Sequence, residues 1–264
     1  GMAGCTSARI LAEAGYNVHL IDKRSHIAGN CYDYFDDNFK VRIHKYGLHL
    51  LRTNNKTVID FLSQFTEWTE HEHKVLAYFN NMYFNMPINI STLEQFFDLG
   101  KGNLDKHSAA LLLKALTRFA PGHANTINDR YLQIIGTDLN NAFFKQFTRL
   151  QWGKNADEIE AKKIASPIRL NRDCRYYTEY FQALPKHGYT KMFENMLNHD
   201  NIEVVLNTPF NTSMLGDYQY CITSQTVDEL FDYSLGYLPY RSATFENFTY
   251  DLPLPAPTIK FTSG

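Results

Sequence analysis

The residue types that could do chemistry first occur near the start of the sequence, as two glycines and an aspartate. Gly1 and Gly4 have the spacing of the last two glycines of the GxGxxG dinucleotide fingerprint, and Asp22 follows Gly4 by 18 residues. In that fingerprint glycine lets the backbone approach a pyrophosphate, and an acidic residue about 20 residues later accepts from a ribose hydroxyl. The spacing favours a dinucleotide site, although an ordinary helix start followed by a surface aspartate would look the same.

Two elements would position these residues. Residues 5–15 carry a stripe of apolar side chains and end at Gly15, which predicts a helix with a glycine stop. The apolar run 18–21 before Asp22 is typical of a buried strand, so helix and strand together indicate a βαβ unit. The first strand of that unit is not in the sequence, and we therefore expect the chain to be a piece of a longer protein.

Beyond this unit, the sequence predicts α/β segments around a mostly helical middle part. The predicted elements are helices over 55–65, 91–98, 105–119, 128–147, 156–165 and 188–198, strands over 202–206 and 218–223, and a hairpin over 74–86. Ser91 and Glu94 have the spacing of a capping box. A helical stretch of this kind between α/β segments is typical of an inserted domain.

Length, composition and charge exclude several classes of protein. The chain has 264 residues, a net charge of −2 at pH 7 and a pI of about 6.6, so we expect neither nucleic acid nor an anionic membrane as a partner. No apolar run approaches the roughly 18 residues that span a bilayer. The four cysteines are scattered and form no CxxC pair, so we expect free thiols, no metal site and a cytoplasmic location.

A second group of motifs follows in order along nearly the whole chain. The most specific is residues 147–154, with the sequence Phe-Thr-Arg-Leu-Gln-Trp-Gly-Lys. The others are Asp22-Lys23-Arg24, Ile27-Ala28-Gly29-Asn30, HKYG at 44–47, Phe65-Thr66-Glu67-Trp68, Pro87-Ile88-Asn89, Leu184-Pro185-Lys186, Gly188-Tyr189-Thr190 and Leu238-Pro239-Tyr240-Arg241-Ser242. Together these motifs resemble those of UDP-galactopyranose mutases, in which the counterpart of 147–154 is Tyr-Thr-x-Lys-Gln-Trp-Gly.

The resemblance implies an α/β fold with a Rossmann-like FAD-binding domain, a helical insertion domain and an antiparallel β-sheet domain. The implied boundaries are 1–75 and 190–236 for an incomplete FAD-binding domain, 91–150 for the helical domain, and 76–90, 151–189 and 237–264 for the sheet or substrate domain.

The resemblance also implies an isomerase that interconverts UDP-galactopyranose and UDP-galactofuranose. In the family, reduced FAD attacks the anomeric carbon through its N5, UDP leaves, and a covalent flavin–sugar adduct opens and recloses before UDP returns. The net redox change is zero, and no side-chain nucleophile is required. The expected partners are UDP-galactose in both ring forms and a second copy of the chain in a homodimer.

The site residues of the family are assigned to this sequence by the positions that match its motifs. The implied FAD-binding residues are Gly1, Gly4, Asp22, Lys23, Gly29, Asn30 and His49. His49 is also the catalytic candidate, because it matches the family histidine beside the flavin ring. The implied substrate-binding residues are His73, Phe143, Phe147, Thr148, Trp152, Arg169, Tyr176 and Tyr177. Aromatic residues at helical spacing are more often core, but a uracil would also stack on them.

Several departures from the family pattern leave alternatives open. Ala165 stands where the family has an arginine that grips the diphosphate, and Arg172 or Arg175 could take its place. Arg52 and Ser224 replace a family histidine and a glycine near the flavin. The alternatives are another FAD-dependent oxidoreductase, similar to amine oxidases, and a catalytically inactive homologue or fragment.

Overall fold

The structure is a computed structural model that describes residues 1–161 and 168–262. The helices of these ranges are α1 (Met2–Glu13), α2 (Lys56–Leu62), α3 (Ile90–Phe96), α4 (Lys106–Leu116), α5 (Ile127–Asn140), α6 (Gln146–Trp152), α7 (Tyr189–Leu197) and α8 (Val227–Leu230). The strands are β1 (Val18–Ile21), β2 (Asp33–Asp36), β3 (Val41–His44), β4 (Leu51–Thr53), β5 (Trp68–Glu70), β6 (Val75–Phe79), β7 (Met82–Met86), β8 (Phe181–Pro185), β9 (Ile202–Val205) and β10 (Thr258–Phe261). No helix in the described ranges is both long and apolar enough to cross a bilayer.

The chain forms two compact units. The first unit comprises Gly1–His71 and Glu179–Phe248, and the second comprises Glu72–Thr178 and Thr249–Gly264. Both units combine helices with strands, which agrees with the predicted α/β class. The predicted helical segment 91–150 lies within the second unit, and the division into three domains stays a prediction.

The first unit contains the predicted βαβ elements. β1 pairs in parallel with β9, from Val18 opposite Ile202 to Ile21 opposite Val205. α1 covers this pair and packs against α7, and its buried face consists of the small residues Cys5, Ala8 and Ala12. Small side chains bring a helix axis close to its neighbours. The antiparallel sheets β4-β8-β5 and β2-β3 complete the unit.

Asp33 fixes the start of α7 from a neighbouring strand. Its side chain accepts hydrogen bonds from the amides of Tyr189 at 2.7 Å and Thr190 at 3.0 Å, and the residue is 2% exposed. Carboxylates are stabilising at helix N-termini because the amides there have no partner within the helix. Gly188 precedes the helix at φ +88°, and a Cβ there would lie 2.6 Å from an Asp33 oxygen. The Gly-Tyr-Thr motif is therefore a helix start that Asp33 caps.

The second unit is built around the predicted hairpin. β6 and β7 pair antiparallel across Asn80 and Asn81, which both have positive φ, at 48° and 61°. Two consecutive left-handed residues form the turn type whose twist matches a β-hairpin, and asparagine tolerates that conformation. β10 pairs in parallel with β6 on the other edge. The hairpin prediction is confirmed, whereas the pairing with β10 was not predicted.

The capping box of α3 differs from the predicted one. α3 begins at Ile90, so Ser91 already lies inside the helix and cannot cap it. Asn89 accepts from the Thr92 amide at 2.9 Å, and the Thr92 hydroxyl lies 3.3 Å from the Asn89 amide. The prediction with Ser91 and Glu94 is wrong because the same geometry starts two residues earlier.

The predicted helix over 128–147 is interrupted twice. Gly136 has φ +78° within α5, and a Cβ there would lie 2.6 Å from the Leu116 carbonyl oxygen, so the helix bends where it meets the end of α4. A π-helical turn then occupies Asn141–Lys145 before α6 begins. Such turns are frequent at functional sites. α6 carries the 147–152 part of the most specific motif.

Two further predicted elements differ in the structure. The predicted strand over 218–223 pairs with no strand among the described residues, and the side chains of Tyr220 and Ile222 are exposed. Alternating polar and apolar residues produce a strand only where a partner strand satisfies their amides. Of the predicted helix over 156–165, the turn Ala156–Glu158 is a short 3-10 helix, and residues 162–167 lie outside the described residues.

The hydrogen bonds of the Glu94 carboxylate predict how the stability of the fold depends on pH in the acidic range. Arg172 donates to both its oxygens at 2.7 and 2.6 Å, the Leu104 amide donates at 2.7 Å, and these bonds lower the pKa of Glu94 to about 2. A lowered folded-state pKa stabilises the fold above pH 4.5, and this contribution is lost as the pH falls towards 2. We expect Glu94→Gln to lower the Tm at about pH 7, by a difference that shrinks as the pH falls below 4.5 and vanishes only at about pH 2.

Thermal denaturation across this pH range checks the expectation, and Glu13→Gln is the matched control. Glu13 pairs with Arg9 at the surface, so its substitution should change the Tm little at any pH. A constant Tm difference between Glu94→Gln and the wild type from about pH 7 to about pH 3 would contradict the assignment.

Candidate functional site

The glycines of the fingerprint and Gly29 lie in close contact with neighbouring elements. A Cβ on Gly4 would lie 3.3 Å from Leu20 of β1, which is the close packing of helix and strand that the motif predicts. Gly29 has φ +57°, and a Cβ on it would lie 2.6 Å from the Gly1 Cα. Gly1 directly precedes α1, so the two glycines meet at the N-terminus of that helix, where free amides favour anions.

Asp22 lies beside this glycine pair. Its Oδ2 is 4.0 Å from the Gly1 nitrogen, and its Oδ1 accepts from the Arg24 amide at 2.9 Å. Lys23 forms an ion pair with a different partner, Glu229, whose carboxylate lies 2.8 Å from the Lys23 Nζ. The structure therefore brings Gly1, Gly29 and Asp22 together, and pairs Lys23 with α8.

Arg24 is a candidate that the sequence analysis quoted in a motif without assigning it a role. Its Nη2 donates to Asn30 at 2.9 Å, and its guanidinium lies 4.9 Å from the centre of the Tyr46 ring. Its Nη1 is buried and has no hydrogen-bond partner among the described residues. Buried polar groups in proteins are normally satisfied, so this donor is aimed at an acceptor outside those residues. Asn30 is thereby tied to the same cluster.

His49 lies in the loop that follows HKYG. Its Nδ1 is 2.9 Å from the Gly47 carbonyl oxygen, and since a carbonyl can only accept, Nδ1 carries the proton. In the neutral ring Nε2 is then an acceptor. His44, the last residue of β3, is half-buried against Tyr189, and its burial lowers its pKa because desolvation disfavours the charged imidazole. Neutral imidazole is therefore the favoured form at His44.

Two departures from the family pattern also lie in the first unit. Arg52 on β4 forms an ion pair with Glu179, so its charge is compensated within the unit. Ser224 is exposed and precedes α8, where Asp228 accepts from the Leu238 amide at 3.0 Å. The backbone at Ser224 is therefore not held by a tight glycine turn.

The first unit fits a dinucleotide cofactor. The fit rests on the cradle between Gly1 and Gly29, which any Cβ on Gly29 would fill, and on the unpaired donor of Arg24. Asp22 adds an acceptor at the end of β1, where ribose hydroxyls are bound in such folds.

The predicted substrate residues of the second unit include an aromatic group around His73. The His73 ring is 7% exposed, stacks with Tyr177 at 5.7 Å and meets Tyr176 edge-on at 6.0 Å. The His73 carbonyl accepts from the Tyr176 amide at 2.8 Å, and its Nε2 lies 3.4 Å from the Thr258 hydroxyl of β10. Backbone pairing and ring packing therefore hold this group together.

The three arginines of the segment 169–175 are engaged by protein groups. Arg169 donates to the carbonyl oxygens of Arg175 and Tyr176, the latter at 2.9 Å. Arg172 pairs with Glu94, and Arg175 pairs with Asp173, whose pKa is lowered to about 2 by the bond. Arg169 thus positions the backbone of Tyr176. Ala165, the position of the missing arginine, lies outside the described residues.

The residues of the π turn and of α6 divide into core and surface. Phe143 is 1% exposed and packs on Phe84 at 5.2 Å, so its ring supports the unit from inside. Thr148 is also buried, whereas Phe147 and Trp152 are half-buried. Part of each of these two rings is therefore accessible to solvent.

Lys260 was missed by the sequence analysis. Its Nζ lies 4.6 Å from the centre of the Phe147 ring and 3.1 Å from the Tyr176 hydroxyl. The residue is in no motif, and only the pairing of β10 with β6 brings it here, so the sequence held no local signal for it.

Comparisons with known proteins agree with this picture. Residues 142–255 match the family model described as UDP-galactopyranose mutase, and residues 1–65 match that of an NAD(P)-binding Rossmann-like domain. A probable UDP-galactopyranose mutase of Klebsiella pneumoniae is 37% identical over 95% of this chain and 65% of its own length. A dTDP-fucopyranose mutase of Escherichia coli is 32% identical over 94% of this chain and 67% of its own length.

This chain thus spans about two thirds of the length of these relatives. Among solved structures, the crystal structure of a reduced UDP-galactopyranose mutase superposes with a TM-score of 0.55 at 15% identity, over 76% of this chain and 46% of the other. The Rossmann-like, α/β fold class predicted from the sequence is confirmed.

The glycine contact at the start of α1 can be tested by adding one methyl group. Gly29→Ala should lower the free energy of unfolding by about 1–2 kcal/mol for the left-handed conformation and by a further 1–3 kcal/mol or so for the clash with Gly1. Gly15→Ala is the matched control, because Gly15 has φ +90° with no atom within 4 Å of a built Cβ. Urea denaturation of both variants measures the difference, and equal losses would show that the contact is not tight.

The positioning role of Arg169 is also testable. Arg169→Met removes two charged donors from main-chain carbonyls and should lower the free energy of unfolding by about 1–3 kcal/mol. The control is Arg130→Met, since Arg130 bonds only Gln133 at an exposed site of the same unit, and a change within about 0.5 kcal/mol is expected. If both variants unfolded at the same urea concentration, Arg169 would not hold this backbone.

Proposed function

Since this chain belongs to the UDP-galactopyranose mutase family, we propose that its full-length protein is an FAD-dependent isomerase of UDP-galactopyranose and UDP-galactofuranose. The single observation that carries the cofactor assignment is the close approach of Gly29 to Gly1 at the start of α1. The substrate assignment is supported by the relatives and by the half-buried rings of Phe147 and Trp152.

In the proposed cofactor site, each residue of the first unit has a distinct task. The α1 amides and the Arg24 guanidinium would hold the pyrophosphate, and Asp22 would accept from a ribose hydroxyl. His49, with its proton fixed on Nδ1 by Gly47, would offer Nε2 as an acceptor beside the flavin ring. When bound and reduced, the flavin would supply through N5 the nucleophile for the anomeric carbon, without net oxidation.

In the proposed substrate site, the second unit would bind the nucleotide and orient the sugar. Trp152 and Phe147 would stack on the uracil, and the hydroxyls of Tyr176 and Tyr177 would contact the diphosphate and sugar. Phe143, Thr148 and His73 are buried. They would not contact the ligand directly and would instead hold the neighbouring aromatic rings in position. Arg169 would hold Tyr176 in place through its main chain.

A second candidate substrate is a dTDP-linked sugar. The observation that favours it is the 32% identity with the dTDP-fucopyranose mutase of Escherichia coli. Both candidates share a pyrimidine nucleoside diphosphate and a hexose that changes ring size, so the residues proposed here would serve either. The homodimer and the cytoplasmic location remain predictions from the sequence.

The assignment predicts a redox-neutral reaction that depends on Trp152. Full-length protein that is supplied with FAD and reduced by dithionite should convert UDP-galactofuranose to UDP-galactopyranose while the flavin stays reduced. Chromatography of the two sugar nucleotides measures the conversion. Trp152→Ala should raise KM about 5–150-fold, because base stacking contributes about 1–3 kcal/mol. Phe119→Ala is the matched control, since that ring is 86% exposed in the same unit.

Other outcomes identify the alternatives. Flavin oxidation in proportion to substrate would indicate an oxidoreductase, and conversion of dTDP-fucofuranose alone would indicate the second substrate. Protein that stays colourless with excess FAD would indicate a non-catalytic relative and would overturn the proposal.

A further inference from the structure

A half-buried lysine of the second unit, Lys260 on β10, lies among the predicted substrate residues. We propose that its ammonium group binds the diphosphate of the nucleotide substrate, a task for which the sequence offered only arginines as charged candidates. The inference rests on the proposed function and adds a residue to the substrate site.

The position of Lys260 follows from the sheet. β10 pairs in parallel with β6, and Lys260 lies opposite Ala77. Alternate residues of a strand share a face, so Thr258 and Lys260 project to the same side. Thr258 contacts His73 on that side, and Lys260 contacts Tyr176, so β10 faces the aromatic group of the predicted substrate residues.

The partners of the ammonium are neutral. Its Nζ lies 4.6 Å from the centre of the Phe147 ring, 5.0 Å from that of Tyr176 and 3.1 Å from the Tyr176 hydroxyl. Aromatic faces attract a cation through their quadrupole, but they do not neutralise it. No carboxylate of the described residues forms an ion pair with Lys260. The charge is therefore available to an anion.

The neighbouring guanidinium groups differ in this respect. Arg172 and Arg175 each form a two-pronged pair with a carboxylate, and Arg169 is bonded to two main-chain carbonyls. A phosphate bound through any of them would compete with bonds that order the unit. Lys260 can bind one without that cost.

The hydrogen-bond pattern favours a phosphate oxygen as the anion. An ammonium group only donates, so the Tyr176 oxygen accepts from Lys260 and its own O–H must donate elsewhere. Two donors about 3 Å apart are then available to one acceptor group, which suits adjacent oxygens of a diphosphate. The flanking Phe147 ring is one proposed to stack on the base, so base and diphosphate would be bound side by side.

The test compares UDP with uridine, which lacks phosphate. We expect full-length Lys260→Gln to bind UDP at least about tenfold more weakly in calorimetry, while its affinity for uridine changes by less than about twofold. Lys260→Arg should keep most of the UDP affinity, because it keeps the charge. Lys114→Gln is the matched control, since Lys114 is an exposed lysine of α4, and it should bind both ligands as the wild type does.

The outcomes separate this inference from the proposed function. Unchanged UDP affinity in Lys260→Gln would overturn the inference and leave the function standing. An equal loss of UDP and uridine affinity would show that Lys260 only supports the fold, which also overturns it, and the Tm of the variant would fall with it. A wild-type protein that binds neither ligand would overturn the proposed function and this inference together.

Discussion

The first unit depends on one steric constraint, which is that the backbones at Gly1 and Gly29 come too close for a side chain. The distance of 2.6 Å from a built Cβ on Gly29 to the Gly1 Cα sets how near the turn over 28–31 lies to the start of α1. Asp22 and Arg24 reach the same place from the end of β1. A ligand with a pyrophosphate can then meet helix amides, a carboxylate and a guanidinium without displacing any side chain.

Much of the fold follows from local patterns in the sequence. The apolar run before Asp22 becomes β1, and two asparagines become the turn between β6 and β7, because strand burial and left-handed turns leave short-range signals. The predicted cap at Ser91 failed because Asn89 offers an equivalent cap two residues earlier. The segment 218–223 failed because a strand needs a partner, and sequence periodicity does not reveal one.

In the candidate site, too, some residues could be predicted from the sequence and others could not. The positions of Gly1 and Gly4 at the start of α1 and of Asp22 after β1 were predictable because they follow from a fixed spacing in the sequence. The role of Arg169 was not, since a guanidinium looks the same in sequence whether it binds a phosphate or two main-chain carbonyls. Lys260 is 84 residues from the tyrosine that it contacts, and only parallel pairing at a sheet edge joins them.

The π-helical turn at Asn141–Lys145 has a consequence for how this surface can change. One extra residue in a helical turn shifts the angular phase of everything after it by about 100°. The angular positions of Phe147 and Trp152 relative to Phe143, which is buried within the turn, therefore depend on that extra residue. A deletion of a single residue there would rotate the rings of Phe147 and Trp152 by about that angle relative to Phe143, although all three would still be present in the chain.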